Sequence, residues 1–225
     1  LILILIYGCQ NQLNPKKSIE DYIPTKAQLV LRINSMDVFK SALKNNVLLS
    51  KTKLQSILEY NLGPVDSLKI SGPLLVCINS NNETPSYTFI AEQKHVDTKS
   101  LLIPKYIQDS IWVFPSSPLK SKESFLEHPF KKLSSILDEN ATFSIYTAKT
   151  KQHEFLLFEN VLLDVNATPE SIAINGMYTD SNSDWVKMFD QITPKAQQLD
   201  KIAPSDAQNF KSFVFSDFEQ FSKNL

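Results

Sequence analysis

The sequence is poor in the residues that build phosphate loops, disulfide frameworks and nucleic-acid surfaces. Only four glycines occur, at positions 8, 63, 72 and 176, and no two stand at the spacing of a P-loop, a dinucleotide fingerprint or a nucleophile elbow. Those devices need glycine where backbone approaches a phosphate or turns sharply. The two cysteines, Cys9 and Cys77, make no disulfide framework, and Cys77 sits in the apolar run Leu74-Leu75-Val76-Cys77-Ile78 as a small core residue would. Of 23 basic residues only Arg32 is arginine, so the planar forks suited to phosphates and base edges are missing. The net charge of −1 leaves neither a basic nor an acidic field. No nucleic-acid partner and no cofactor are expected.

Histidine is scarce as well. His95, His128 and His153 are scattered, none with a second His or a Cys at ligand spacing, and His153-Glu154 lacks the second His of a zinc-protease helix. A Ser-His-Asp triad converges in space rather than along the chain, so residue order argues neither for nor against one. The best metal candidate is Asp180-Ser181-Asn182-Ser183-Asp184, with Asp180, Asn182 and Asp184 at the oxygen-bearing positions of an EF-hand loop. Its second half fails, because Trp185 stands where the turn glycine belongs and Gln191 where the bidentate Glu belongs. A polar turn, with Ser183 or Asp184 capping a helix that begins at Trp185, is the preferred reading. No metal and no catalytic residue are expected, and the chain is read as a non-enzyme.

What the chain does have is an apolar start. Leu1-Ile2-Leu3-Ile4-Leu5-Ile6-Tyr7-Gly8-Cys9 is followed at once by polar residues through Lys17. The run is shorter than the ~20 apolar residues that span a bilayer. It resembles the end of a secretory segment entering a bacterial lipobox, with cleavage between Gly8 and Cys9 and the Cys9 thiol carrying the lipid. Tyr7 is bulkier than the small residue usual there. A buried first strand is the structural alternative, since Leu and Ile suit one. The missing initiator Met and basic segment favour a chain that begins inside a signal peptide. Residues 1–9 are therefore read as signal remnant and lipobox, and 10–19 as a polar tether reaching roughly 30 Å at about 3.3 Å per residue.

The body alternates strands and helices. Ala27 to Asn34 places Leu29, Leu31 and Ile33 on one face. Ser35 and Asp37 are N-cap candidates for a helix through Leu43 that Asn45-Asn46 breaks, and a second helix carries Leu54, Ile57 and Leu58 up to Gly63-Pro64. Strands are expected at Ser67 to Ser71, Leu74 to Asn79 and Tyr87 to Ala91. The order then recurs: a strand at Ile111 to Phe114, helices at Lys122 to Glu127 and Phe130 to Asp138, and strands at Ala141 to Ala148, Glu154 to Val165 and Ser171 to Tyr178. Leu54-Gln55-Ser56-Ile57-Leu58 aligns with Leu133-Ser134-Ser135-Ile136-Leu137 without gaps. Between 184 and 202 an amphipathic helix is expected, its apolar face marked by Trp185, Met188, Phe189 and Ile192. Ala203-Pro204-Ser205-Asp206-Ala207-Gln208 then resembles Ile23-Pro24-Thr25-Lys26-Ala27-Gln28, and Asp217, Phe218 and Phe221 begin another helix.

The expected fold class is α+β, mainly antiparallel sheets with helix pairs on one face. It is built from two related β-α-α-β-β-β units, 20–102 and 103–202, and the start of a third at 203–225. A third unit that stops one helix in implies a longer natural chain or a dimer that completes the fold.

The lipobox, the Lys/Asn/Ile-rich body and the opening strand Ile23-Pro24-Thr25-Lys26-Ala27-Gln28-Leu29-Val30-Leu31 resemble the uncharacterised cell-envelope lipoproteins of Bacteroidetes, of flavobacterial type. Asp66-Ser67-Leu68 and Asp109-Ser110-Ile111 resemble the O-glycosylation tripeptide of that lineage. Three Asn-X-Thr sequons, at Asn82, Asn140 and Asn166, carry little weight in a bacterium. The resemblance implies an envelope location and no settled activity. The expectation is a binding or scaffolding module held to the outer membrane through Cys9, on its periplasmic or surface face, with an envelope protein or glycan as partner. The competing expectation is an envelope hydrolase whose catalytic residues lie in a missing C-terminal region or converge only in the fold.

Overall fold

A computed structural model describes residues 17–62, 69–79, 85–97, 106–115, 128–148, 159–179, 187–193, 195–196 and 214–225. Eight strands form one sheet: β1 (Leu29–Ile33), β2 (Leu74–Asn79), β3 (Ser86–Glu92), β4 (Tyr106–Gln108), β5 (Ile111–Pro115), β6 (Phe143–Ala148), β7 (Asn160–Ala167) and β8 (Ile172–Thr179), in the order β4-β5-β3-β2-β1-β6-β7-β8. β1 lies between β2 and β6, antiparallel to both, with Val30 opposite Cys77 on one side and Tyr146 on the other. Among the described residues this is one antiparallel sheet with a few helices, consistent with an α+β or mostly β class, where several sheets are expected from sequence. The sheets merge because β6, far along the chain, pairs directly with β1.

Strand alternation sorts the core onto both faces. Leu31, Ile33, Leu74, Val76, Phe89, Ala91, Trp112 and Phe143 face α1 (Met36–Asn45), which contributes Met36, Phe39, Ala42 and Leu43 to the same core. Phe39 meets the Phe143 ring edge-on at 5.5 Å. The α1 sequence forms a helix because its apolar residues recur at helical spacing and the Ser35 hydroxyl accepts from Val38 N, supplying the N-cap. α2 (Leu54–Leu62) follows a single 3-10 turn at Leu49–Lys51. On the opposite face Tyr146 packs against His128 and Phe130, the latter in the short helix α3 (Pro129–Leu133). A 3-10 turn at Ile19–Tyr22 lies beside α3 and buries Tyr22. Helical segments therefore cover both faces, since Val30, Leu75, Cys77, Ile90 and Tyr146 on the second face also need burial.

Arg32, the only arginine, points to this second face. Its Nη1 meets Glu20 Oε1 at 3.1 Å, and its Nε donates to Asn34 Oδ1 at 3.0 Å. Asp21 pairs with Lys131 nearby. Both contacts tie the N-terminal turn to the sheet and α3.

By contact the described residues divide into two compact units, one within Leu1–Thr147 and Leu162–Gly176, the other within Ala148–Val161 and Met177–Leu225. The sequence partition at 102, by contrast, follows likeness between segments. Within the second unit, Ser216 N donates to Thr193 O at 3.0 Å and Lys195 N to Val214 O at 3.2 Å. The helix α4 (Phe218–Asn224) starts at Asp217, whose carboxylate accepts from Gln220 N at 2.9 Å. Phe215 stacks on Phe221 at 4.6 Å, with Phe189 at 5.6 Å. Asn224 Nδ2 donates to the carbonyls of Met188 and Asp190, closing the turn before it.

Several expected elements differ in extent. The helix expected over Phe130 to Asp138 is α-helical only through Leu133 and then tightens to a 3-10 turn at Ser134–Ile136. The hydroxyls of Ser134 and Ser135 bond back to the carbonyls of Lys131 and Lys132, competing with helix propagation. Of the strand expected at Ser67 to Ser71, only Ile70 pairs, as an isolated bridge to Val96. Residues 187–191 form one turn. Lys122 to Glu127, Trp185, and Ala203 to Gln208 lie outside the described residues.

Candidate interaction surface

The two ends of the sheet are built differently. At one end, β4 is three residues long and is joined to β5 by Asp109 and Ser110, both in the left-handed region with φ of 51° and 64°. That backbone matches the twist of a two-residue hairpin, and Asp tolerates it better than most residues do. Asp109 then receives the Tyr22 hydroxyl at 2.5 Å and the Lys17 ammonium at 3.2 Å. The Tyr22 hydrogen bond, then that of Lys17, holds the Asp109 carboxyl below the usual carboxylate range. The start of the described chain is therefore fastened at this end.

At the other end, β8 is eight residues long, Ile-Ala-Ile-Asn-Gly-Met-Tyr-Thr, and carries no charged side chain. Ile174 is 57% exposed, Met177 41% and Tyr178 40%. Sheet edges are usually blunted by charge, proline, bulges or brevity, because their free N–H and C=O groups template pairing with another strand. β8 has length, apolar side chains and none of the charges. Gly176 lets it lie close to β7: a Cβ there would meet Leu162 O at 2.1 Å.

The turn that launches β8 borders a groove of about 360 Å³ between Ala167, Thr168 and Pro169 and the outer side of α1, where Asp37, Val38, Ser41 and Asn45 stand. Beneath it, Asn46 is almost wholly buried and uses its whole amide. Nδ2 donates to Thr168 O and, at 3.0 Å, to Ser171 O, while Oδ1 accepts from Leu48 N and Leu49 N at 2.9 Å each. Asn46 thus ends α1 and clamps the β7–β8 turn with one side chain. The groove itself offers one carboxylate, Asp37, and a mainly apolar wall of Val38, Ala42 and Pro169.

Among the described residues, those singled out in sequence do not meet in one place. Gly8, Cys9, His153, Asp180, Asn182, Asp184, and the tripeptide Asp66-Ser67-Leu68 lie outside the described residues, as does the sequon at Asn82. Among the described residues no group of three or more His, Cys, Asp and Glu side chains could hold a metal ion. Cys77 is a buried free thiol, its pKa raised by burial. Thr142, in the sequon of Asn140, is buried and accepts from Ala167 N.

His128 is structural. Its Nδ1 accepts from Phe130 N at 3.2 Å, capping α3, which leaves the proton on Nε2 to donate to Ala27 O at 3.0 Å. Burial lowers its pKa, partly opposed by the Ala27 hydrogen bond. His95 does find a serine: Ser71 Oγ is 3.2 Å from His95 Nδ1, and His95 Nε2 is 3.9 Å from Glu92 Oε2. Gly72 makes room for the ring, which a Cβ would approach to 2.5 Å. Glu92 is taken at 2.7 Å by Lys94, and Ser71 is exposed at the surface. The cluster has the order of a nucleophile, a base and an acid, with the acid beyond hydrogen-bond reach of the base.

Two important residues carry no chemical motif, namely Asn46 and Gly176. Asn45-Asn46 is legible as a helix stop, and a glycine inside a strand signals a close backbone approach. The partners of both are long-range and are visible only once the fold is known. Comparison with protein-family models, curated proteins and solved structures found no match to this chain.

Proposed function

We propose that this chain is a lipid-anchored module of a bacterial cell envelope, of the Bacteroidetes type its opening resembles, that binds another envelope protein along β8. The observation that carries the reading is β8 itself, an eight-residue, charge-free edge with exposed Ile174, Met177 and Tyr178. A sheet edge offers main-chain donors and acceptors in a row, which suits an extended peptide strand better than a glycan. Anchorage through Cys9, on the periplasmic or surface side of the outer membrane, supplies the location. No catalysis is assigned to this region. The body is read as two related β-α-α-β-β-β units and the start of a third. In support, Asp217 caps α4 just after the bridge at Phe215, the order in which Ser35 caps α1 just after β1.

The test is a photocrosslinking residue at Ile174 of β8 or at Ile107 of β4, both about half exposed, with the full chain in its native envelope. Protein adducts at 174 and none at 107 support the reading, whereas equal labelling or background alone at 174 removes it. Cys9→Ser is expected to shift the chain from the membrane to the soluble fraction and to abolish lipid labelling; unchanged fractionation removes the anchor.

A second reading, hydrolysis by residues that meet only in the fold, is favoured by the Ser71–His95 contact. A fluorophosphonate label on the full chain that Ser71→Ala abolishes, together with loss of activated-ester turnover, supports it. Labelling or turnover unaffected by that substitution eliminates it.

A further inference from the structure

Resting on β8 as the binding edge, we infer that its partner is a second copy of this chain, joined by antiparallel β8–β8 pairing around a two-fold axis through Gly176. A two-fold axis perpendicular to the sheet keeps each face on its own side, so residues opposite one another must share parity along the strand. With Gly176 opposite Gly176, Ile174 lies opposite Tyr178 on one face and Asn175 opposite Met177 on the other. Exposed Ile174 of one copy then meets Tyr178 of its partner, and aromatic against β-branched is a favourable cross-strand pair.

Charge makes the self-pairing permissible. An edge bearing Lys or Glu sets like charges near each other in such a dimer, and β8 carries neither. Among the described residues, no strand pairs with the outer side of β8. Lys17 and Tyr22 fasten the start of the described chain to Asp109 at the β4–β5 end, across the eight-stranded sheet, roughly 33 Å away at about 4.8 Å per strand spacing. Size sets the strength. Eight residues give an edge of about 27 Å at 3.4 Å per residue, and such a contact covers less than the ~800 Å² per partner of a standard stable interface. The dimer is weak in dilute solution and favoured where two anchors share one membrane, which raises their effective concentration.

The full chain purified in mild detergent and the same chain in its native envelope are the materials. In the inferred register, the double variant N175C/M177C sets thiols opposite each other across the axis. Mild oxidation is expected to give a covalent dimer as the main product. I107C at the β4 edge, and the unsubstituted chain with Cys9 and buried Cys77, are expected to stay monomeric on the same non-reducing gel. Sedimentation across a concentration series is expected to show dimer formation whose dissociation constant rises at least about tenfold in I174K. The unchanged thermal midpoint of that variant shows that it still folds. Thiol adducts in the envelope to other proteins only, with no self-adduct, overturn the self-pairing and leave the edge-binding reading standing. Absence of every adduct overturns both.

Discussion

The β4 and β8 edges belong to one sheet and solve the same problem in opposite ways. At β4 the edge is only three residues long, and the turn that follows it, through Asp109 and Ser110, is held at the Asp109 carboxylate by Lys17 and Tyr22. At β8 the edge runs for eight residues without a charge, although the turn that leads into it is fastened by hydrogen bonds from Asn46 and between Thr168 and Ser171. The buried Asn46 gives both hydrogens of its Nδ2 to that turn, and Gly176 is needed to seat the strand against β7. An edge that is merely unfinished needs no such support. The difference teaches that β8 is seated by specific contacts at its turn and against β7 while, among the described residues, its outer side pairs with no strand, which suits a pairing edge.

The largest predicted effect breaks the comparison on the β8 side. Asn46→Ala removes all four hydrogen bonds of a buried amide, to Thr168 O, Ser171 O, Leu48 N and Leu49 N, and is expected to cost about 3 kcal/mol in urea unfolding. Amide exchange should accelerate at the β7–β8 turn before it does at β4. A loss equal to that of an exposed substitution contradicts the clamp. Gly176→Ala comes next, at about 2 kcal/mol, because the new methyl must push β8 off the Leu162 carbonyl. Its dimer signal should disappear with it, while a variant of wild-type stability shows that β8 lies farther from β7.

A smaller effect tests the middle of the sheet through pH. His128 has a lowered pKa when folded, so the unfolded chain binds more protons as pH falls from about 6.5 toward the folded value. Stability contributed by the neutral ring is full above that range and declines within it, because protonation of Nδ1 removes the acceptor for Phe130 N. Thermal unfolding between pH 7 and pH 5 is expected to show this decline, and His128→Asn to flatten it; parallel curves exclude the role. The smallest effect is at the β4 edge. Tyr22→Phe removes one hydrogen bond to Asp109 and should lower the midpoint slightly without altering β8. It should also raise the Asp109 carboxyl toward its ordinary pKa. Asp109 is lowered in the fold, so its contribution is present above the ordinary carboxylate range and lost in stronger acid. NMR titration of the side-chain carboxyl tests both statements, and an unmoved titration means that Tyr22 is not its partner.

Much of the fold is legible before any coordinates. The alternation of Leu29, Leu31 and Ile33, the Ser35 cap, the Asn46 stop and the apolar run at Leu74 each produce the element expected within a residue or two. β4 is not legible, because three residues are too few for a period and the following turn uses Asp and Ser where Gly or Asn would announce a hairpin. The capping role of His128 is hidden for another reason: its partner Ala27 lies 101 residues away. β8 reads as a strand from Ser171 to Tyr178, yet its exposure at an edge depends on strand order, which local pattern does not encode. The candidate surface was therefore half visible, as a strand without charges, and its place at the end of the sheet emerges from topology alone.

Amide hydrogen exchange along the full chain, compared between dilute detergent solution and the native envelope membrane, tests the central claim most directly. The account predicts that the amides of Ile172 to Thr179 become protected in the membrane while those of Tyr106 to Gln108 exchange at the same rate in both. Equal exchange of the β8 amides in the two settings would contradict it.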